Sequence, residues 1–179
     1  SNQIRPRACW RPSDRFSVRR EFGRLTPWTR SIGSGGGSMA RVVLDASVIV
    51  SAAFGGAPLR AVAKAFDHEI FVSADVRQEL LSLPQELTGK LAPDQVSKVR
   101  RLIKVLLLKA TLMTADQPLR VSRDPKDDIY LSLCLAARAD FLITRDLDLL
   151  SIGKGRLSQI GLDRLNIISP RKFLPLRVV

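Results

Sequence analysis

The sequence predicts a three-layer α/β/α domain on a parallel, doubly wound sheet of about five strands. Three observations lead there. Short apolar, largely β-branched runs alternate with amphipathic helical stretches from residue 41 onward. Two of those runs end directly on or beside an aspartate, and capping or turn residues mark most of the boundaries between runs.

Arg41 to Leu44 forms the first strand and ends at Asp45, after which Ala46 to Ala53 turns helical before Gly55 and Gly56. Leu59 to Phe66 suits a helix and Ile70 to Val72 a second strand. Ser73 caps a helix expected to reach about Leu83 and to halt at Pro84. Pro93 opens a long helix to Lys109 with Val96, Val99, Leu102, Ile103 and Leu106 on one face; Lys98, Arg100, Arg101 and Lys104 fill a solvated face. Ala110 to Thr114 is a third strand. Asp124-Pro125 caps and opens a helix that carries Asp127 and Asp128 in its first turn. Phe141 to Thr144 is a fourth strand, followed by Asp146 and Asp148. Asn166 to Ile168 is a fifth, and Ser169-Pro170 opens a last short helix.

With 179 residues, 45% hydrophobic and 26% charged, the chain has material for one folded domain. No stretch approaches the roughly 18 to 20 apolar residues of a membrane span, and no apolar secretory core stands near residue 1, so the expected location is cytoplasmic. Cys9 and Cys134 lie too far apart in sequence for a zinc-ligand pattern, and neither suggests a disulfide framework. A single histidine, His68, excludes mechanisms that pass protons between two imidazoles, so hydrolytic chemistry would rest on carboxylates.

The net charge of +12 favours phosphate-rich or acidic partners, and its placement is uneven. Residues 1–38 hold eight arginines and no lysine against Asp14 and Glu21, which is half of the excess in a fifth of the chain. Residues 33–38, Gly-Ser-Gly-Gly-Gly-Ser before Met39, have the composition of an artificial flexible linker with a root-mean-square span of about 13 Å. Residues 1–32 form an arginine- and aromatic-rich peptide with Trp10, Phe16, Phe22 and Trp28, in which Ser13 caps a helix that Gly23 ends. So short a helix is marginal alone, and its aromatics need another surface. The division is thus peptide 1–32, linker 33–38 and globular domain 39–179.

In open parallel sheets the functional crevice lies beyond the carboxyl ends of the strands, where Asp45 and Asp146 fall. Taken singly these suit turns, Asp128 suits a helix dipole and Glu79 a surface charge. Several carboxylates drawn together repel unless a divalent cation neutralises them, and oxygen donors select Mg²⁺ or Mn²⁺. Such ions lower the pKa of a bound water and stabilise the attacking and leaving oxygens of a phosphodiester.

Four segments, VVLDASV at 42–48, VSADVRQEL at 72–80, RDPKDD at 123–128 and LITRDLDLL at 142–150, resemble the PIN-domain family, and within it the VapC-like toxins of toxin–antitoxin pairs. The resemblance spans Arg41 to Phe173 and implies a Rossmann-like α/β/α fold. It places the four catalytic and metal-binding acids at Asp45, Glu79, Asp128 and Asp146, with Ser47, Asp127, Thr144 and Asp148 as helpers. Asp128 is chosen over Asp127 for its helical phase and its 18-residue step to Asp146. It further implies an Mg²⁺- or Mn²⁺-dependent ribonuclease, a homodimer, and a cognate antitoxin. Antitoxin tails that wrap such toxins resemble residues 3–32, whose arginines can meet carboxylates bidentately. Arg41, Arg123, Lys126 and Arg145 stand near the expected site as candidate phosphate contacts.

Two other readings follow from the same residues. A strand-terminal Asp45 also suits domains that form aspartyl-phosphate, but Ser47 stands where a second aspartate would be needed. A non-catalytic PIN module that binds RNA or protein is the remaining alternative.

Overall fold

The computed structural model describes residues 39–115, 119 and 125–176, with only the backbone of Pro125. The peptide 1–32 with the helix expected after Ser13, the linker, Arg123 and the cap expected at Asp124 lie outside these described residues. The described residues belong to one compact unit.

In chain order the elements are β1 (Arg41–Leu44), α1 (Ala46–Ala52), α2 (Gly56–Ala65), β2 (Glu69–Val72), α3 (Ala74–Glu86), α4 (Pro93–Lys109) and β3 (Thr111–Leu112). There follow α5 (Pro125–Ala137), β4 (Phe141–Ile143), α6 (Leu147–Leu150), α7 (Lys154–Gln159), β5 (Asn166–Ile168) and α8 (Pro170–Phe173). All strand pairs are parallel, in the order β3-β2-β1-β4-β5, with helices flanking the sheet.

This order places the site. The chain runs outward from β1 through β2 to β3, then crosses to the other side for β4 and β5. The reversal leaves a crevice at the carboxyl ends of β1 and β4, where Val42, Val43 and Leu44 pair with Phe141, Leu142 and Ile143. Val42, Val43, Leu142 and Ile143 are completely buried, as central parallel strands covered on both faces require. That burial gives the crevice a rigid floor.

Three expectations change. The helix capped by Ser73 runs through Pro84 to Glu86 rather than stopping before it. Pro84 falls in the last turn, where only the Leu80 carbonyl loses its donor, and the end is closed by the Leu87 N–H on Leu83 O (2.9 Å) and Thr88 Oγ1 on Pro84 O (2.8 Å). β3 keeps two residues of the expected five, since it pairs only with Phe71 and Val72. Helices α6 and α7, of four and six residues, were not expected, because neither is long enough to show a helical period. Among the described residues, no single helix is long and apolar enough to cross a membrane.

Candidate active site

Asp45 leaves the end of β1 and caps α1, its side chain accepting from the Ser47 N–H at 3.3 Å. Its other oxygen, Oδ2, accepts from two hydroxyls, Ser47 Oγ and Thr144 Oγ1, each at 2.5 Å. Thr144 is fully buried beyond the end of β4, and its Oγ1 also accepts from the Asp146 N–H at 2.9 Å. A chain of hydrogen bonds therefore runs Ser47–Asp45–Thr144–Asp146 across the β1–β4 junction. Asp146 in turn caps α6, accepting from the Asp148 N–H at 2.7 Å. Both strand-terminal acids double as helix caps, which fixes their rotamers.

Glu79 is half-buried on α3, facing Asp45 closely enough to feel its charge. Burial, and then the Asp45 charge, raise its carboxyl above the usual glutamate range, against the Tyr130 hydrogen bond and the Lys126 charge, which act the other way. Tyr130 on α5 donates its hydroxyl to Glu79 Oε2 at 2.6 Å and accepts from the Ala46 N–H at 3.1 Å. Burial and the two neighbouring carboxylates push this phenol far up, so it remains a donor at any ordinary pH.

Asp127 and Asp128 both lie in the first turn of α5 and are each only 8% exposed. Asp127, three residues before Tyr130, shares the helical face that Tyr130 turns to Glu79; Asp128 is rotated from that face. Helical phase, which was expected to select Asp128, therefore favours Asp127 for the place beside Tyr130 and Glu79. Asp148 is exposed on α6 and only its N–H is engaged with Asp146.

The structure thus links Glu79 through Tyr130 to the N–H of Ala46, the residue next to Asp45, and joins Asp45 to Asp146 through Thr144. Among the described residues, however, no three acidic, histidine or cysteine side chains stand close enough to hold an ion. The donor set itself, carboxylate and hydroxyl oxygens, suits a hard divalent cation.

Of the basic residues, Arg41 is a correction. It stands at the amino end of β1, pairing with Glu69 at 3.6 Å and donating to Ala137 O at 2.9 Å, at the end of the strand opposite Asp45. Arg145 adjoins the site, its N–H donating to Ser47 Oγ at 3.2 Å and its guanidinium to Ser51 Oγ. Lys126 is near enough to act on Glu79. Tyr130 is the functional residue that sequence reasoning missed, although it is the chain's only tyrosine and sits two residues past Asp128.

No curated protein matches the chain. The family model described as PIN domain matches residues 41–148, a span that includes the expected site acids Asp45, Glu79, Asp128 and Asp146. PIN domains are nuclease-type folds that generally use divalent metal ions. The chain belongs to the PIN-domain family.

Proposed function

We propose that the chain is an Mg²⁺- or Mn²⁺-dependent endoribonuclease using Asp45, Glu79, Asp128 and Asp146, with Asp127 as an alternative to Asp128. The single observation that carries this reading is the Tyr130 hydroxyl, which bonds Glu79 Oε2 at 2.6 Å and the N–H of Ala46, next to Asp45, at 3.1 Å, and so brings two carboxylates to the sheet's switch point with no salt bridge to either among the described residues. A divalent cation bound there would supply the positive charge that draws a phosphodiester into an acidic crevice and polarises its P–O bonds.

The chain's own residues do the positioning. Ser47 and Thr144 hold Asp45 Oδ2, and Tyr130 holds Glu79 Oε2, leaving Glu79 Oε1 without a hydrogen bond among the described residues. Thr144 carries the alignment on to Asp146.

The same reading extends to a VapC-like toxin of a type II toxin–antitoxin pair, with residues 3–32 as the toxin-binding segment of its antitoxin joined through the linker 33–38. Supporting it is composition: residues 1–38 hold eight arginines, two tryptophans and two phenylalanines, which complement in chemistry a site built from acids.

The test is cleavage of mixed single-stranded RNA by residues 39–179 with Mg²⁺, Mn²⁺ or EDTA, beside Asp45→Asn and with peptide 3–32 added. Metal-dependent cutting that Asp45→Asn abolishes and the peptide suppresses supports both parts. A non-catalytic module that binds RNA or protein is the second reading, favoured by the absence of a closed three-acid cluster among the described residues. RNA binding with no cutting in either metal would select it.

A further inference from the structure

Beside the acids, a cleft of about 470 Å³ opens between the end of α1, the Gly55–Gly56 turn and α8. Ser51, Phe54, Pro58, Arg145, Leu150 and Arg171 line it. We propose that this cleft is a nucleotide subsite in which Phe54 stacks on a base of single-stranded RNA while Arg145 and Arg171 hold the flanking phosphates. The inference rests on the reading of this chain as one that handles RNA.

Size is the first argument, since 470 Å³ lies in the range of small-ligand pockets and accommodates one nucleotide. Continuity is the second. Arg145 bridges cleft and acids, because its N–H meets Ser47, itself bonded to Asp45, while its guanidinium reaches Ser51 on the cleft wall. A phosphate drawn to Arg145 from the cleft is therefore two residues removed from the carboxylates.

Chemistry is the third argument. Phe54 is 56% exposed although its neighbours Ala52 and Ala53 are buried, so an apolar ring is left facing water at the cleft edge. Gly55 (φ +84°) and Gly56 (φ +67°) take left-handed angles that let the chain turn through 118° from α1 to α2, and that turn presents the ring. Arg145 and Arg171 are both exposed, and neither has an ion-pair partner among the described residues. An exposed aromatic ring and two guanidinium groups without ion-pair partners on one cleft is the combination that single-stranded nucleic acid binds without base-specific contacts.

The experiment uses the full chain in EDTA, titrated into a short fluorescent single-stranded RNA and read by anisotropy, with Phe54→Ala, Phe54→Trp and Arg171→Ala alongside. Stacking predicts that Phe54→Ala weakens binding about tenfold and that Phe54→Trp restores it. Loss of one phosphate contact predicts that Arg171→Ala lowers the slope of log affinity against log salt by about 1. Photo-crosslinking with 5-iodouridine RNA should map to the peptide containing Phe54. Equal affinities for all four proteins, a crosslink elsewhere, or no RNA binding by the wild-type chain overturns the subsite, as does RNA displaced from wild type and Phe54→Ala alike by an acidic peptide. Phe54-dependent binding without cleavage in any metal keeps the subsite and refutes the nuclease; cleavage lost in Asp45→Asn but indifferent to Phe54 and Arg171 does the reverse.

Discussion

The hydroxyl of Tyr130 donates to Glu79 while accepting from the N–H of Ala46, so one phenol on α5 ties the start of α1 to the middle of α3. Tyr130→Phe removes both bonds and leaves a buried backbone N–H without its acceptor. We expect a loss of about 1–3 kcal/mol by urea denaturation. A variant as stable as wild type would show that water replaces the hydroxyl.

Thr144 is a comparable joint. Its hydroxyl donates to Asp45 and accepts from the Asp146 N–H, so Thr144→Val orphans that N–H and removes one of the two hydroxyl donors to Asp45 Oδ2. We expect a destabilisation of about 1–3 kcal/mol, with any nuclease activity falling alongside it, while Thr144→Ser retains most of both. Serine and valine variants behaving alike would refute a role for the hydroxyl.

Glu79 is held against burial and against the charge of Asp45. Glu79→Gln relieves both, and its amide oxygen can still accept from Tyr130. In EDTA the variant should therefore melt above wild type at neutral pH. Adding Mn²⁺ should raise the melting temperature of wild type more than that of the variant, because a ligand stabilises only the folded form that binds it. Equal shifts with Mn²⁺ would remove Glu79 from the ligand set.

His68 gives the pH dependence. Among the described residues its buried Nε2 has no hydrogen-bond partner, and its ring lies edge-on to Phe173 with centroids 6.0 Å apart. Burial lowers its pKa, the charge of Lys64 adding to this and that of Asp67 opposing it. The unfolded chain therefore takes up a proton at higher pH than the folded one, and this contribution to stability is lost as pH falls from about 6.5 through the lower folded value. Denaturant midpoints measured over that window should drop for wild type and flatten for His68→Phe. An unchanged slope would assign the effect to other groups.

Lys64 on α2 closes the opposite end of the domain. Its ammonium donates to the carbonyls of Phe173 and Leu174, both at 3.0 Å, and to that of Leu176. Lys64→Met keeps the stem and removes the donors, and should cost about 1–3 kcal/mol while speeding amide exchange around α8. Unaltered exchange at residues 173–176 would refute the clamp.

The strand-to-acid junctions at Asp45 and Asp146 are legible in sequence because an apolar β-branched run that stops on or beside an aspartate marks both an element and its carboxyl end. Their double duty as caps is not, since each taken singly suits a turn and α6 is too short to show a helical period. Tyr130 is not, since an aromatic within an apolar helix reads as core until the sheet brings residues 46 and 79 to its hydroxyl. Arg41 misleads in the other direction: nearness in sequence to Asp45 is four residues of extended strand, which carries the guanidinium to the opposite end of that strand. The choice of the third acid is not legible either, because one residue along α5 turns the helix by about 100° and the face that matters is known only once Tyr130 is placed against Glu79.

The hydrogen bond between Thr144 and Asp45 joins residues 99 apart in the chain. No fragment ending before β4 can assemble the acid pair's surroundings, and the loop closed by that contact must lose its freedom before the contact repays it. During synthesis, then, the crevice is among the last features to exist: the first strand and its acid emerge from the ribosome well ahead of the strand that completes them. A chain that cuts RNA would in this way remain harmless to its own message for most of the time it takes to be made.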